Sequence, residues 1–209
     1  MDRIGSDVTA KTGGGEIRLG SIDGSIRCFS GGGLIQVDSA GKESWLETAG
    51  GDIFVRESGG PLHTSTAGGN IRIQHSAAMV SARTSGGRIE VLRANGIVLA
   101  DNSGGSIQVG SAAGVRVASA GGSIRLRGSS GSLRAVTDVG SILAELMSGV
   151  PLQCSVNVVD PPASFGQTGR LRSIAIVLEP RQPTPSESVV VIDECHRGSA
   201  RDESSWRAI

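Results

Sequence analysis

Apolar and polar positions alternate over short runs in this chain, and the runs return at a fixed interval. One word, a glycine pair followed by an alternating triplet, recurs as Gly14-Gly15-Glu16-Ile17-Arg18-Leu19, Gly32-Gly33-Leu34-Ile35-Gln36-Val37, Gly50-Gly51-Asp52-Ile53-Phe54-Val55 and Gly68-Gly69-Asn70-Ile71-Arg72-Ile73. It continues as Gly86-Gly87-Arg88-Ile89-Glu90-Val91, Gly104-Gly105-Ser106-Ile107-Gln108-Val109 and Gly121-Gly122-Ser123-Ile124-Arg125-Leu126, then in worn form as Val139-Gly140-Ser141-Ile142-Leu143-Ala144. The isoleucine advances by the same step from Ile17 through Ile107, falls one position short at Ile124, and resumes the full step to Ile142.

Each repeat holds a second alternating run nine residues before its isoleucine, at Val8, Ile26, Ser44, Leu62, Val80, Val98, Val115 and Leu133. Four residues after each of these comes a hydroxyl or amide: Thr12, Ser30, Thr48, Thr66, Thr84, Asn102, Ser119 and Thr137. Alternation with period two buries one face of a strand and wets the other. Two such strands per repeat, with like residues in register, predict coils stacked on one another. The fold expected is all-β: a single-stranded parallel β-helix (β-solenoid) of about eight coils of 18 residues, with a C-terminal β cap. At about 4.8 Å per coil the rod is roughly 38 Å long.

The glycine pairs are expected to turn corners at positive φ, which glycine reaches without steric cost. The hydroxyl column has inward parity, which suits it to link coil to coil and to satisfy corner backbone. The single-residue deletion falls between Ile107 and Val115, so it belongs in a surface turn. Outward positions form charge ladders: Glu57, His75 and Arg93; Asp52, Asn70 and Arg88; Asp38 and Arg56.

The rhythm stops near residue 148, where prolines crowd the chain; only Pro61 precedes Pro151. Three strand-like runs follow, at 152–159, 171–178 and 188–192. The organisation expected is a β-solenoid over 1–147, a β-strand cap over 148–193 and a disordered tail over 194–209.

Composition narrows the function. Glycine is 32 of 209 residues and aromatics are 2%, so the core must be thin and built from Ile, Val, Leu and Ala. Twenty basic and twenty acidic side chains cancel, which gives no general pull toward nucleic acid. The three cysteines, Cys28, Cys154 and Cys195, form neither a disulfide framework nor a zinc spacing. No apolar run is long enough for direct membrane insertion, and no signal peptide opens the chain.

Candidate chemistry is sparse. No glycine pair has the Lys-Ser/Thr of a phosphate loop. The calcium-binding Gly-Gly-x-Gly-x-Asp nonapeptide is not matched, because isoleucine replaces the fourth position. Glycoside chemistry needs two placed carboxylates, and no outward column stacks two acids on neighbouring coils. His63, His75 and His196 are scattered, and Cys28 points inward. No catalytic residue, cofactor or metal ligand emerges. The binding candidates are the outward aromatics Trp45 and Phe54, on different walls of the rod.

The words Gly-Gly-Asp-Ile-Phe-Val, Gly-Gly-Asn-Ile-Arg-Ile and Gly-Gly-Ser-Ile-Arg-Leu resemble the bacterial DUF4097/DUF2807 group of adhesin-like β-solenoid domains over about residues 8–147. The resemblance implies a surface-associated or cell-envelope domain without catalytic residues. A second resemblance is to bactofilins, cytosolic β-helical proteins that polymerise end to end. The expectation is a non-enzymatic rigid scaffold or binding rod with a protein or cell-surface partner. The alternative is a self-assembling scaffold with end-to-end self-association, and a carbohydrate-active β-helix enzyme is the remote one. The first places the chain at the cell envelope as a fragment, the second in the cytoplasm as a complete protein.

Overall fold

The structure, a computed structural model, describes residues 3–138, 140–147, 154–158, 174–179 and 189–192. Among these are twenty strands and no helix. In chain order they are β1 (Arg3–Ile4), β2 (Val8–Thr12), β3 (Ile17–Ile22), β4 (Ile26–Ser30), β5 (Ile35–Ala40), β6 (Ser44–Thr48) and β7 (Ile53–Ser58). Then come β8 (Leu62–Thr66), β9 (Ile71–Ser76), β10 (Val80–Thr84), β11 (Ile89–Ala94), β12 (Ile97–Asn102), β13 (Ile107–Ser111) and β14 (Gly114–Ser119). The series closes with β15 (Ile124–Arg127), β16 (Leu133–Thr137), β17 (Ile142–Met147), β18 (Cys154–Val158), β19 (Ile174–Glu179) and β20 (Val189–Ile192).

Successive strands alternate between two walls. The front sheet has nine strands, in the order β18-β16-β14-β12-β10-β8-β6-β4-β2. The back sheet has eleven, in the order β1-β3-β5-β7-β9-β11-β13-β15-β17-β19-β20. Pairing is parallel up to β19, and β20 runs antiparallel to it. The chain is a β-solenoid of about eight coils, as the repeat predicts.

The repeat sets the register. Ile53, Ile71, Ile89 and Ile107 align on the back sheet, and Leu62, Val80 and Val98 align on the front. The back-sheet isoleucines from Ile35 to Ile142 are at most 1% exposed. Burying each such side chain contributes about 1.5–3 kcal/mol, so a core almost without aromatics suffices when it is repeated in every coil. At the N-terminal end Val8, Ala10 and Leu19 are only partly buried against this core.

The inward hydroxyls form a relay through the interior. Thr66 Oγ1 donates to the Gly51 carbonyl at 2.9 Å and accepts the Gly69 N–H at 3.1 Å. Thr84 repeats this one coil on, donating to Gly69 O at 3.0 Å and accepting Gly87 N–H at 3.2 Å. Asn102 substitutes its amide, with Nδ2 donating to Gly87 O and Oδ1 accepting Gly105 N–H. Each of these side chains therefore satisfies corner backbone of its own coil and of the preceding one, which accounts for Ser, Thr or Asn at a position otherwise fit for an apolar residue.

The glycine pairs serve a different need from the one expected. Positive φ occurs among the described glycines only at Gly128 (68°) and Gly140 (151°), at neither glycine of the pairs from Gly32-Gly33 to Gly121-Gly122. What requires glycine is close stacking: a Cβ on Gly69 would overlap the Gly51 carbonyl oxygen of the coil below. The same overlap meets the second glycine of the neighbouring pairs, whereas a Cβ on Gly68 finds its nearest neighbour at 3.9 Å. The corner is tight between coils rather than twisted within one.

The deletion lies in a turn, as expected. Arg93 pairs with Ser111, one full repeat on, but Ile97 pairs with Gly114, one position short of a repeat. The missing residue therefore belongs between Ser111 and Gly114, in the turn that joins β13 to β14. Within the three strand-like runs after residue 148 the described residues form strands, which extend both sheets: β18 pairs with β16, and β19 with β17. Stacking thus outlasts the rhythm of the repeat. The expected tail, 194–209, lies outside the described residues.

Candidate functional site

The outward face of the front sheet carries a cluster of aromatic and charged side chains that line one open groove. Alternation in β6 buries Ser44, Leu46 and Thr48 and turns Trp45 and Glu47 outward. Trp45 is 49% exposed, one of the most exposed large apolar side chains among the described residues. In-register pairing sets it between Arg27 on β4 and His63 on β8. Its indole stacks on the His63 imidazole with centroids 3.9 Å apart and planes 12° from parallel. His63 Nε2 also stands 3.3 Å from Glu43 Oε1.

The next outward column holds Lys11, Phe29 and Glu47 in register. Phe29 is 41% exposed, with Lys11 Nζ 5.8 Å from its ring centroid, a cation–π geometry. The two columns border an open groove of about 920 Å³ whose lining includes Lys11, Arg27, Phe29, Trp45, Glu47 and His63. An apolar floor of two aromatic rings, edged by cations and a carboxylate on a rigid sheet, can bind a ligand that presents both apolar surface and charge.

Phe54, the other aromatic candidate, lies on β7 of the back sheet, half-buried between Gln36 and Arg72. It borders a separate groove of about 670 Å³ with Arg72, Arg88 and Glu90. Arg72 Nε is 3.3 Å from Glu90 Oε2, which ties up the nearest charges. The structure keeps Trp45 and Phe54 on opposite walls, so they cannot act on one small ligand.

Two ring side chains of the front groove escaped the sequence reading, and both had a signal. Phe29 follows the inward Cys28 and precedes the inward Ser30, so parity alone sends it outward; it belongs beside Trp45 and Phe54 among the outward aromatics. His63 follows Trp45 by one full repeat, which places the two rings on adjacent coils.

Among the remaining outward groups, the ladder of Glu57, His75 and Arg93 is in register as expected. The ladder of Asp52, Asn70 and Arg88 works through backbone instead of charge. Asp52 Oδ1 accepts the Asn70 N–H at 2.7 Å, and Asn70 Oδ1 accepts the Arg88 N–H at 2.9 Å. Asp38 and Arg56 approach at 4.0 Å, and Arg83 and Asp101 at 3.3 Å. Such exposed pairs contribute well under about 1 kcal/mol each.

Burial pushes the Cys28 thiol up to about 11, which leaves it without thiolate character near neutral pH. Among the described residues no group of three or more His, Cys, Asp or Glu side chains is placed to hold a metal ion. No helix among them is long and apolar enough to cross a membrane. Cys195 and His196 lie outside the described residues.

No family model matches the sequence, and no curated protein or solved structure matches it significantly.

The site is a surface rather than a cleft.

Proposed function

We propose that the protein is a non-enzymatic binding rod of the adhesin-like type, and that its ligand face is the front-sheet groove around Trp45. The observation that carries this reading is the Trp45–His63 stack beside Phe29, held half-exposed on a scaffold whose coils are bonded in register. Aromatic side chains that stay in water where the fold needs little of them are enriched at binding hot spots. The rigid sheet presents them without an ordering cost on binding. The titratable groups of the groove include Glu43, which already faces His63, and the groove is open; both features favour recognition over catalysis.

The test is a binding screen of the purified chain against surface polysaccharides and matrix proteins, repeated with the Trp45→Ala/Phe29→Ala double variant. Binding that disappears in the double variant supports the reading. Binding that persists moves the ligand face elsewhere, and turnover of any polysaccharide overturns the non-enzymatic assignment.

A second reading is a scaffold that assembles through its coil ends. It is favoured by β2, which pairs on one side only among the described strands, and by the partial exposure of Val8, Ala10 and Leu19 at that end. Sedimentation over a range of concentrations separates the two, since a concentration-independent monomer removes the assembly reading.

A further inference from the structure

Three asparagines of the rod, Asn70, Asn95 and Asn102, have side chains in sharply different settings. Asn102 is buried, its amide donating to Gly87 O and its carbonyl accepting Gly104 and Gly105 N–H groups. Asn70 bonds Asp52 and the Arg88 N–H. Asn95 is exposed, in the turn between β11 and β12, and no hydrogen bond engages its side chain among the described residues. It alone of the three precedes a glycine, Gly96, where the missing Cβ leaves the backbone nitrogen open to a neighbouring carbonyl carbon. The Gly96 N–H donates no backbone hydrogen bond among the described residues.

We propose that Asn95-Gly96 is a self-modification site at which the rod deamidates through a cyclic imide, and that the coil accommodates one product and rejects the other. The Gly96 amide nitrogen loses its proton and attacks Asn95 Cγ. The Cγ–Nδ2 bond breaks, ammonia departs with the proton, and a five-membered succinimide closes. Water then adds to one of the two ring carbonyls. Opening at Cγ leaves an ordinary aspartate. Opening at the main-chain carbonyl leaves isoaspartate, whose backbone runs through Cβ and is one methylene longer.

The stack supplies the discrimination. Asn95 occupies the turn column of Asp23, and both donate the same backbone bond to the preceding coil: Asp23 N–H to Ile4 O and Asn95 N–H to Ser76 O, each at 2.8 Å. Asp23 is also followed by a glycine, Gly24. A carboxylate in this column is thus already part of the fold nearer the N-terminal end of the rod. The longer isoaspartate backbone has no room, because even a Cβ on Gly96 would overlap the backbone of Ala78 and Met79. The turn is tethered on its far side by the Ala113 N–H bond to Gly96 O at 3.2 Å, so the added methylene cannot be absorbed outward without breaking stacking.

The experiment is incubation of the folded chain at mildly alkaline pH, followed by proteolysis and mass spectrometry. The expected result is a time-dependent amide-to-acid mass shift at Asn95, with Asn70 and Asn102 unchanged and no shift at that position in Asn95→Gln. An intact Asn95 after a synthetic 92–99 peptide has fully converted overturns the site. Thermal unfolding tests the second half. Asn95→Asp is expected to melt with the fresh protein, and the isoaspartate fraction of the aged sample to melt lower. Equal melting of the isoaspartate and Asn95→Asp forms, or a lowered melting point in Asn95→Asp itself, overturns the discrimination.

Discussion

The Thr66 hydroxyl sits 2.9 Å from the Gly51 carbonyl oxygen, on the neighbouring coil, and donates to it. The same oxygen atom of Thr66 receives the Gly69 N–H at 3.1 Å, so one buried side chain closes a corner and ties it to the corner below. Thr66→Val keeps the shape and removes both bonds. It is expected to destabilise the rod by about 1–3 kcal/mol, because a part-buried carbonyl and a buried N–H lose their partner. Thr66→Ser is expected to lose less, and urea unfolding of the two variants measures the difference.

Gly69 and Gly68 are adjacent and should respond oppositely. An alanine Cβ at Gly69 meets the Gly51 carbonyl, so Gly69→Ala is expected to cost about 1–3 kcal/mol through overpacking. At Gly68 the Cβ enters open space at a backbone conformation that alanine accepts, so Gly68→Ala is expected to be neutral or stabilising by up to about 1 kcal/mol. Equal effects of the two substitutions on melting temperature would sink the stacking argument.

Trp45 is exposed, so its removal should hardly touch the fold. Trp45→Ala forfeits the His63 stack, worth about 0.5–1.5 kcal/mol. Near-native melting of this variant is the condition under which loss of binding reports on the ligand face. Intrinsic fluorescence should fall with it, the second tryptophan being Trp206.

Cys28 should be silent until the chain unfolds. Its thiol is buried and raised to about 11, so thiol reagents at mildly alkaline pH are expected to leave it unmodified in the folded protein. In a Cys154→Ser/Cys195→Ser background, labelling should track unfolding by denaturant. Rapid labelling of the folded protein would contradict the inward placement.

Asp7 provides the acid-sensitive contact of the first coils. The Ser25 backbone N–H, bonded to Asp7 Oδ1 at 2.7 Å, holds the Asp7 carboxyl below its ordinary value of 3.8. A carboxyl lowered on folding adds stability above its unfolded value and loses it as pH falls through the folded one. Acidification below about pH 4 is therefore expected to loosen the Asp7–Ser25 link, while Asp7→Asn, which keeps an acceptor oxygen, removes that pH dependence. Amide exchange at Ser25 across the acid range checks this.

The spacing of Ile17, Ile35, Ile53 and their successors determined the architecture without help, since two alternating runs repeated at one fixed interval bury their apolar faces by stacking coils in register. The same spacing made the inward hydroxyls legible, and it held the pairing of Trp45 with His63 for anyone who counted one repeat forward. Other facts needed the third dimension. The reason for Gly69 is the distance between two corners, which no local rule about φ contains. The pairing of β17 with β19 joins segments whose spacing departs from the repeat, so only the closed sheet revealed that stacking continues past residue 147. The front groove, likewise, exists because Phe29 and Trp45 come from different coils and different columns. Periodicity says which residues share a column. The separation of the backbones and the meeting of neighbouring columns are decided by packing.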